Sequence, residues 1–175
     1  MTDDKFTTVI KVGGSLFDLP DLADRLAILL RQLSGERVVF VSGGGAAADT
    51  VRELQPVHQL SDAAAHRIAM ESLRVGEQLL FELLPNARFL KTADDCSTVA
   101  IARSPELIES AVLNDTLRPR EDWSFTSDSI AALIAQIVGA EKLILLKSIS
   151  APTREELQSS NKVDAAFLQY AEGLK

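Results

Sequence analysis

Thr7-Thr8-Val9-Ile10-Lys11-Val12, running into Gly13-Gly14-Ser15, and Arg37-Val38-Val39-Phe40-Val41, running into Ser42-Gly43-Gly44-Gly45, decide how this chain is read. Each is an apolar run that stops on glycines, and helical periodicity resumes after it. A continuous apolar run, without the in-out alternation of a half-solvated strand, belongs to a strand buried on both faces of a parallel sheet. Between the two runs, Leu22, Leu26, Leu29, Leu30 and Leu33 recur at helical spacing over residues 20–33, with Asp18 as the expected N-cap and Gly35 as the expected stop. The order is therefore strand, helix, strand, with a right-handed crossover.

Outward from this unit the same alternation continues. Helical character is expected over 46–54, ending before Pro56, and over a long segment 61–84 capped by Ser61 or Asp62. Residues 88–91 and 111–113 read as short strands, 94–103 as a short helix, and 119–123 as a surface loop. Thr126-Ser127-Asp128-Ser129 opens an amphipathic helix to about 138. Lys142–Leu146 is another central strand, and 163–170 a last helix. The expected fold is a three-layer α/β/α domain over 1–175 with a mainly parallel central sheet.

Composition narrows the function. The chain has 175 residues, 46% hydrophobic, which suits one domain with a full core. A net charge of −7 and a pI near 4.9 disfavour a nucleic-acid binder, which needs a basic face. The single cysteine, Cys96, is read as packing and fits a reducing compartment, and His58 and His66 are too few for a His-rich metal site. No secretory signal is expected in the polar N-terminal segment, and no apolar stretch is long enough to span a bilayer. A cytoplasmic protein with no membrane or nucleic-acid partner, and no metal-ligating residues of its own, is the expectation.

Both glycine turns should lie at the carboxyl edge of the sheet, where open α/β sheets bind ligands. Glycines there let backbone N–H groups approach an anion. No stretch matches a P-loop. Gly43, Gly45 and Ala48 fit a dinucleotide fingerprint, but the acidic residue expected at the end of the next strand is missing. A NAD-binding enzyme therefore ranks below a phosphate-transferring one. Lys11 in an otherwise apolar strand is either an edge residue reaching water or a clamp for a phosphoryl group. Lys147, after the last strand, has the same two readings. Asp128 is either a helix cap or a carboxylate orienting both lysines. Arg67 and Arg74, on the long helix, are candidates for holding an anionic substrate, and His66 reads as an ordinary helix residue.

Taken together, V-I-K-V-G-G-S, V-S-G-G-G, T-S-D-S-I-A-A and the strand ending at Leu146 resemble the amino-acid kinase superfamily, in particular the aspartokinase-related small kinases of methanofuran biosynthesis. The resemblance implies an ATP- and Mg²⁺-dependent phosphotransferase acting on a small anionic metabolite, such as an aminomethylfuran phosphate, without a covalent enzyme intermediate. It implies catalytic roles for Lys11 and Asp128. The ATP site would comprise Lys11, Gly13, Gly14, Ser15, Lys147 and Ser148, and Gly43, Gly44 and Gly45 would hold the acceptor, with Arg67 and Arg74 added from the residues alone. It also implies a homodimer through the long helix. Many relatives carry Thr-Asp where this chain has Lys147-Ser148. An acceptor part, about 1–120, would thus be followed by a reduced nucleotide part, about 121–175. A metabolite-binding relative without transfer activity is the non-enzyme alternative.

Overall fold

The computed structural model describes residues 8–93, 97–111, 117–148 and 162–175. Five strands, β1 (Thr8–Val12), β2 (Val38–Ser42), β3 (Arg88–Leu90), β4 (Val99–Ala102) and β5 (Lys142–Leu146), form one parallel sheet in the order β3-β4-β2-β1-β5. β1 is paired on both sides, so Lys11 stands opposite Val41 and Leu145.

Alternate side chains of the central strands serve two cores. Val9, Val39 and Val41 face α5 (Ser127–Val138), packing with Ile130, Leu133 and Ile134. Ile10, Val12, Val38 and Phe40 face Leu22 and Leu26 of α1 (Leu22–Gln32), together with Leu80 near the end of α3 (Asp62–Leu83). That is the three-layer α/β/α arrangement expected from the continuous apolar runs. Every residue of α5 from Asp128 to Ala135 is buried, so this helix is a core element with no solvated face to spare for a charge. The single acidic residue within it needs a partner inside the protein.

The two glycine turns meet at the carboxyl edge. The Gly13 N–H donates to the Leu146 carbonyl (2.9 Å), and the Gly43 N–H to the Val12 carbonyl (2.8 Å), carrying the ladders past the strand ends. A Cβ on Gly14 would fall 2.2 Å from Gly45 N, and one on Gly43 would fall 2.4 Å from Gly14 N. Bare backbone thus touches bare backbone, which accounts for the glycine spacing that also fitted a dinucleotide fingerprint.

Several expectations need correction. Residues 99–102 are strand β4, and the helix α4 (Ser104–Ser110) comes after it. Ala100, Ile101 and Ala102 are fully buried, and burial between β2 and β3 overrides the helical preference of alanine. Cys96 and residues 112–116 lie outside the described residues, and Ala111 is the C-cap of α4. The helix α2 (Gly45–Val57) runs through Pro56 and ends one residue later, where a proline forfeits only one late hydrogen bond. Asp18 closes a 3₁₀ turn (Gly14–Asp18), and Asp21 precedes α1. Only α6 (Phe167–Tyr170) is helical within 163–170.

One carboxylate is wholly interior. Glu77 of α3 is completely buried and accepts from the Ser104 N–H (2.9 Å) at the start of α4, with Arg103 at 3.4 Å. Burial pushes its pKa above the usual carboxylate value, and the bonds from Ser104 and Arg103 oppose that shift in part.

Candidate functional site

The carboxyl edge brings together residues far apart in the chain. Lys11 leaves β1 on the α5 side, and Lys147 follows β5, its immediate neighbour in the sheet. Asp128, in the first turn of α5, lies between them. Its Oδ1 is 3.0 Å from Lys11 Nζ and its Oδ2 2.7 Å from Lys147 Nζ. Lys11 and Asp128 side chains are only 7% and 8% exposed, while Lys147 keeps 20%. Burial draws the Lys11 pKa below the ordinary lysine value; Asp128 works against that shift and Lys147 adds to it. Asp128 is paired with both lysines, and Thr126, not Asp128, holds the N-cap position of α5.

The segment before α6 holds this cluster from behind. The Lys162 carbonyl accepts from Lys147 Nζ. The Asp164 carboxylate accepts from Thr126 N–H (3.0 Å), Thr126 Oγ1 (2.8 Å) and Ser129 N–H (3.0 Å), and also from Ser129 Oγ. Beside the cluster, Ser15 Oγ and Ser148 Oγ are 3.0 Å apart, joining the first glycine turn to the end of β5.

A cleft of about 220 Å³ opens on the other side of the glycine turns. Gly14, Ser15, Gly44, Gly45, Thr126 and Ser127 form the end nearest the lysines, and Ala69, Met70, Leu73, Phe125 and Ile130 line an apolar middle. Asp49, Arg52 and Trp123 also line the cleft. Arg52 pairs with Asp49 (2.7 Å) and lies 4.5 Å over the Trp123 ring, whose Nε1–H donates to Gln55 Oε1 (2.7 Å). His66 is buried in the wall, with Nε2 at 3.0 Å from the Phe125 carbonyl. A carbonyl only accepts, so Nε2 carries a proton.

A family model, the amino acid kinase family, matches residues 6–151. This chain belongs to the amino acid kinase family. Among similar members, the (5-(aminomethyl)furan-3-yl)methyl phosphate kinase of Methanocaldococcus jannaschii is 23% identical over 146 residues, covering 81% of this chain and 65% of the relative. A glutamate 5-kinase of Thermobifida fusca is 31% identical over 172 residues, covering 82% of this chain and 43% of the relative. The chain thus spans less than two thirds of the length of either. The crystal structure of uridylate kinase from Archaeoglobus fulgidus shares the fold, with a TM-score of 0.65 at 16% identity over 95% of this chain and 86% of that one.

Within this family frame, the structure gathers Lys11, Gly13, Gly14, Ser15, Asp128, Lys147 and Ser148 at one edge, and puts Gly44 and Gly45 on the cleft. Gly43 supports the turn from beneath. Arg67 and Arg74 are elsewhere: Arg67 pairs with Glu121 and Arg74 with Glu71 and Glu106, and neither lines the cleft. They are seven positions apart on α3, two turns along the face opposite the buried Ala65, Ala69, Leu73 and Leu80. Among the described residues the arginine on the cleft is Arg52 of α2, which sequence reading passed over, as it did Asp164; Trp123 had been placed only in a surface loop just ahead of the T-S-D-S-I-A-A motif.

The edge suits an anionic group such as a phosphate. Its glycine turns have no room for side chains, and Lys11 spends one ammonium donor on Asp128 while retaining others for oxygens of a ligand. Among the described residues there is no group of three or more His, Cys, Asp or Glu side chains able to hold a metal. A magnesium ion here would be held chiefly by the phosphates it accompanies. Among the described residues, no helix is long and apolar enough to cross a membrane.

Proposed function

We propose that this chain carries the acceptor-binding and phosphoryl-transfer parts of an ATP-dependent small-molecule kinase, with about 1–120 serving the acceptor and about 121–175 the nucleotide. The observation that carries the reading is the buried Lys11–Asp128–Lys147 bridge beside two touching glycine turns, at one end of a ligand-sized cleft. ATP with Mg²⁺ supplies the activated phosphoryl group. Lys11 holds negative charge at the end of β1, in surroundings too dry for water to screen it. Lys147 holds charge at the end of β5. Asp128 keeps the two ammonium groups apart and aimed at the same edge.

Asp128 has both oxygens on lysines, which suits an orienting role and leaves neither oxygen uncommitted. That arrangement favours an acceptor whose attacking oxygen is already ionised at neutral pH, a phosphate or a carboxylate. The apolar part of the cleft lining, which includes Met70, Phe125 and Ile130, fits a small ring or short carbon chain. An aminomethylfuran phosphate, the kind of molecule for which the M. jannaschii relative is named, has this character, and we propose it as the acceptor. Its phosphate would lie at the glycine turns and its amine toward Asp49 and Trp123. We further propose a cytoplasmic homodimer through α3, whose Ile68, Val75 and Leu79 are 48%, 66% and 38% exposed along one stripe.

The test combines binding and transfer. Mg-ATP should raise the melting temperature of the purified chain, and phosphoryl transfer should be seen with furanylmethyl phosphates in preference to alcohols. Lys11→Ala leaves Asp128 paired with Lys147, so the fold should persist while turnover falls about 100- to 1000-fold. Absence of both nucleotide stabilisation and transfer in the unmodified chain would refute the reading.

A further inference from the structure

We infer that Asp164 is a positioning residue, which caps α5 from outside the helix and so holds Asp128 between Lys11 and Lys147. Its consequence for turnover rests on the kinase reading above; its consequence for the lysines does not.

The first turn of α5 needs an acceptor for its free N–H groups. Thr126 holds the N-cap position with an extended backbone, yet its side chain makes no capping bond. Asp164 supplies the missing acceptor. Its Oδ2 takes the N–H groups of Thr126 and Ser129, both at 3.0 Å, and its two oxygens take their hydroxyls as well. Asp128 sits between those two residues, so its backbone is held on either side by one carboxylate. A negative charge at this end of the helix is further favoured by the helix dipole. Two residues earlier, the Lys162 carbonyl accepts from Lys147 Nζ. The same few residues thus seat both the second lysine and the turn that carries its counter-charge.

A cap that merely adds stability would look different in one respect: it would stand far from the charged groups. Ser61 is such a cap, its Oγ accepting from Ala64 N–H (3.3 Å) at the start of α3. It provides the control.

The experiment compares Asp164→Ala, Asp164→Asn and Ser61→Ala in the full chain. Lysine ammonium resonances of ¹⁵N-lysine protein are followed against pH, with Lys11 assigned through Lys11→Arg. Asp164→Ala should weaken protection of the Lys11 ammonium protons from exchange and lower the Lys11 titration midpoint by more than Asp164→Asn, which loses the same charge acting on Lys11 but keeps an acceptor for the helix. Ser61→Ala should leave both unchanged, although it too removes a cap. In steady-state assays Asp164→Ala should lower kcat about 10- to 100-fold, the loss seen when a residue that orients a metal's ligands from outside is removed, with the acceptor KM within a few-fold. Asp164→Asn keeps an oxygen for the two N–H groups and should recover most of kcat. If Asp164→Ala does not fold, Ser129→Ala, which removes one hydroxyl contact, should shift the Lys11 signals in the same direction to a smaller extent. The inference is overturned if the Asp164 and Ser129 variants leave the Lys11 signals at their unmodified values. Failure of the kinase reading would look different, since the unmodified chain would then transfer no phosphate while the lysine signals still responded to Asp164.

Discussion

Replacing Asp128 with alanine should expose how much of this fold is held hostage to its charges. The change removes the partner of two ammonium groups at once. Lys147 has a remedy, because it is 20% exposed and keeps the Lys162 carbonyl. Lys11, 7% exposed, stays within the sheet and has none. Removing one partner of a buried ion pair costs about 3–5 kcal/mol, which for a chain of this length lowers the melting temperature by roughly 6–20 °C. The loss should depend on pH with a definite sign. The folded Lys11 pKa lies below 10.5, so between the two values the unfolded chain binds more protons and stability rises with pH. Losing Asp128 lowers the folded value further and widens that window. Urea denaturation of Asp128→Ala and the unmodified chain should therefore show the largest deficit near pH 7 and a smaller one near pH 10. Adding Lys11→Met, which keeps the stem and drops the charge, should restore much of the loss at pH 7. A deficit under about 1 kcal/mol, or a Lys11→Met/Asp128→Ala protein no more stable than Asp128→Ala alone, would refute this account of the cluster.

Gly14→Ala would place a methyl 2.2 Å from Gly45 N; backbone cannot step aside as a side chain can, so the cost should be about 1–3 kcal/mol, with weakened Mg-ATP stabilisation in a thermal-shift assay. Glu77→Gln should keep an acceptor for Ser104 and remove the buried charge. Because burial raises the Glu77 pKa, the folded chain takes up its proton at a higher pH than the unfolded one. The unmodified protein should thus gain stability relative to Glu77→Gln as pH falls from 7 toward 4.5, read as a growing difference in melting temperature; a constant difference would count against it.

The elements legible in the sequence are those whose burial leaves a periodic trace. β1, β2 and β5 are apolar runs ended by glycine or by a polar residue, and α1, α3 and α5 repeat their leucines, isoleucines and alanines at helical spacing. β4 hides because Val99-Ala100-Ile101-Ala102 uses small side chains that also suit helices, and only its place between two other strands makes it a strand. Lys11 was legible as a charge in an apolar strand, whereas Asp128 by itself reads as a helix cap and was joined to the lysines through the family resemblance. Asp164 was not legible, since its contacts with Thr126 and Ser129 span more than thirty positions. A trace was present all the same: a capping box places Glu or Gln three residues after the cap, and Ser129 stands there instead, so the helix needed an acceptor from elsewhere. Arg67 and Arg74 were misplaced by choosing the helix without its phase, whereas Arg52 lies two turns past the second glycine turn, on the helix that borders the cleft.

The position of β1 between β2 and β5 bears on how the chain is made. On a ribosome adding roughly 5–20 residues per second, Asp164 follows Lys11 by about 8–30 s. Through most of that interval β2 can already pair with β1, while the other side of β1 faces water as an unfinished edge. Such edges recruit foreign strands unless something discourages them, and a charge pointing inward from the strand is one of the standard deterrents. Lys11, bare until Asp128 emerges, is that deterrent within Thr8–Val12. The lysine proposed to serve the phosphoryl group would thus first guard an open edge, a duty that ends when β5 pairs with β1.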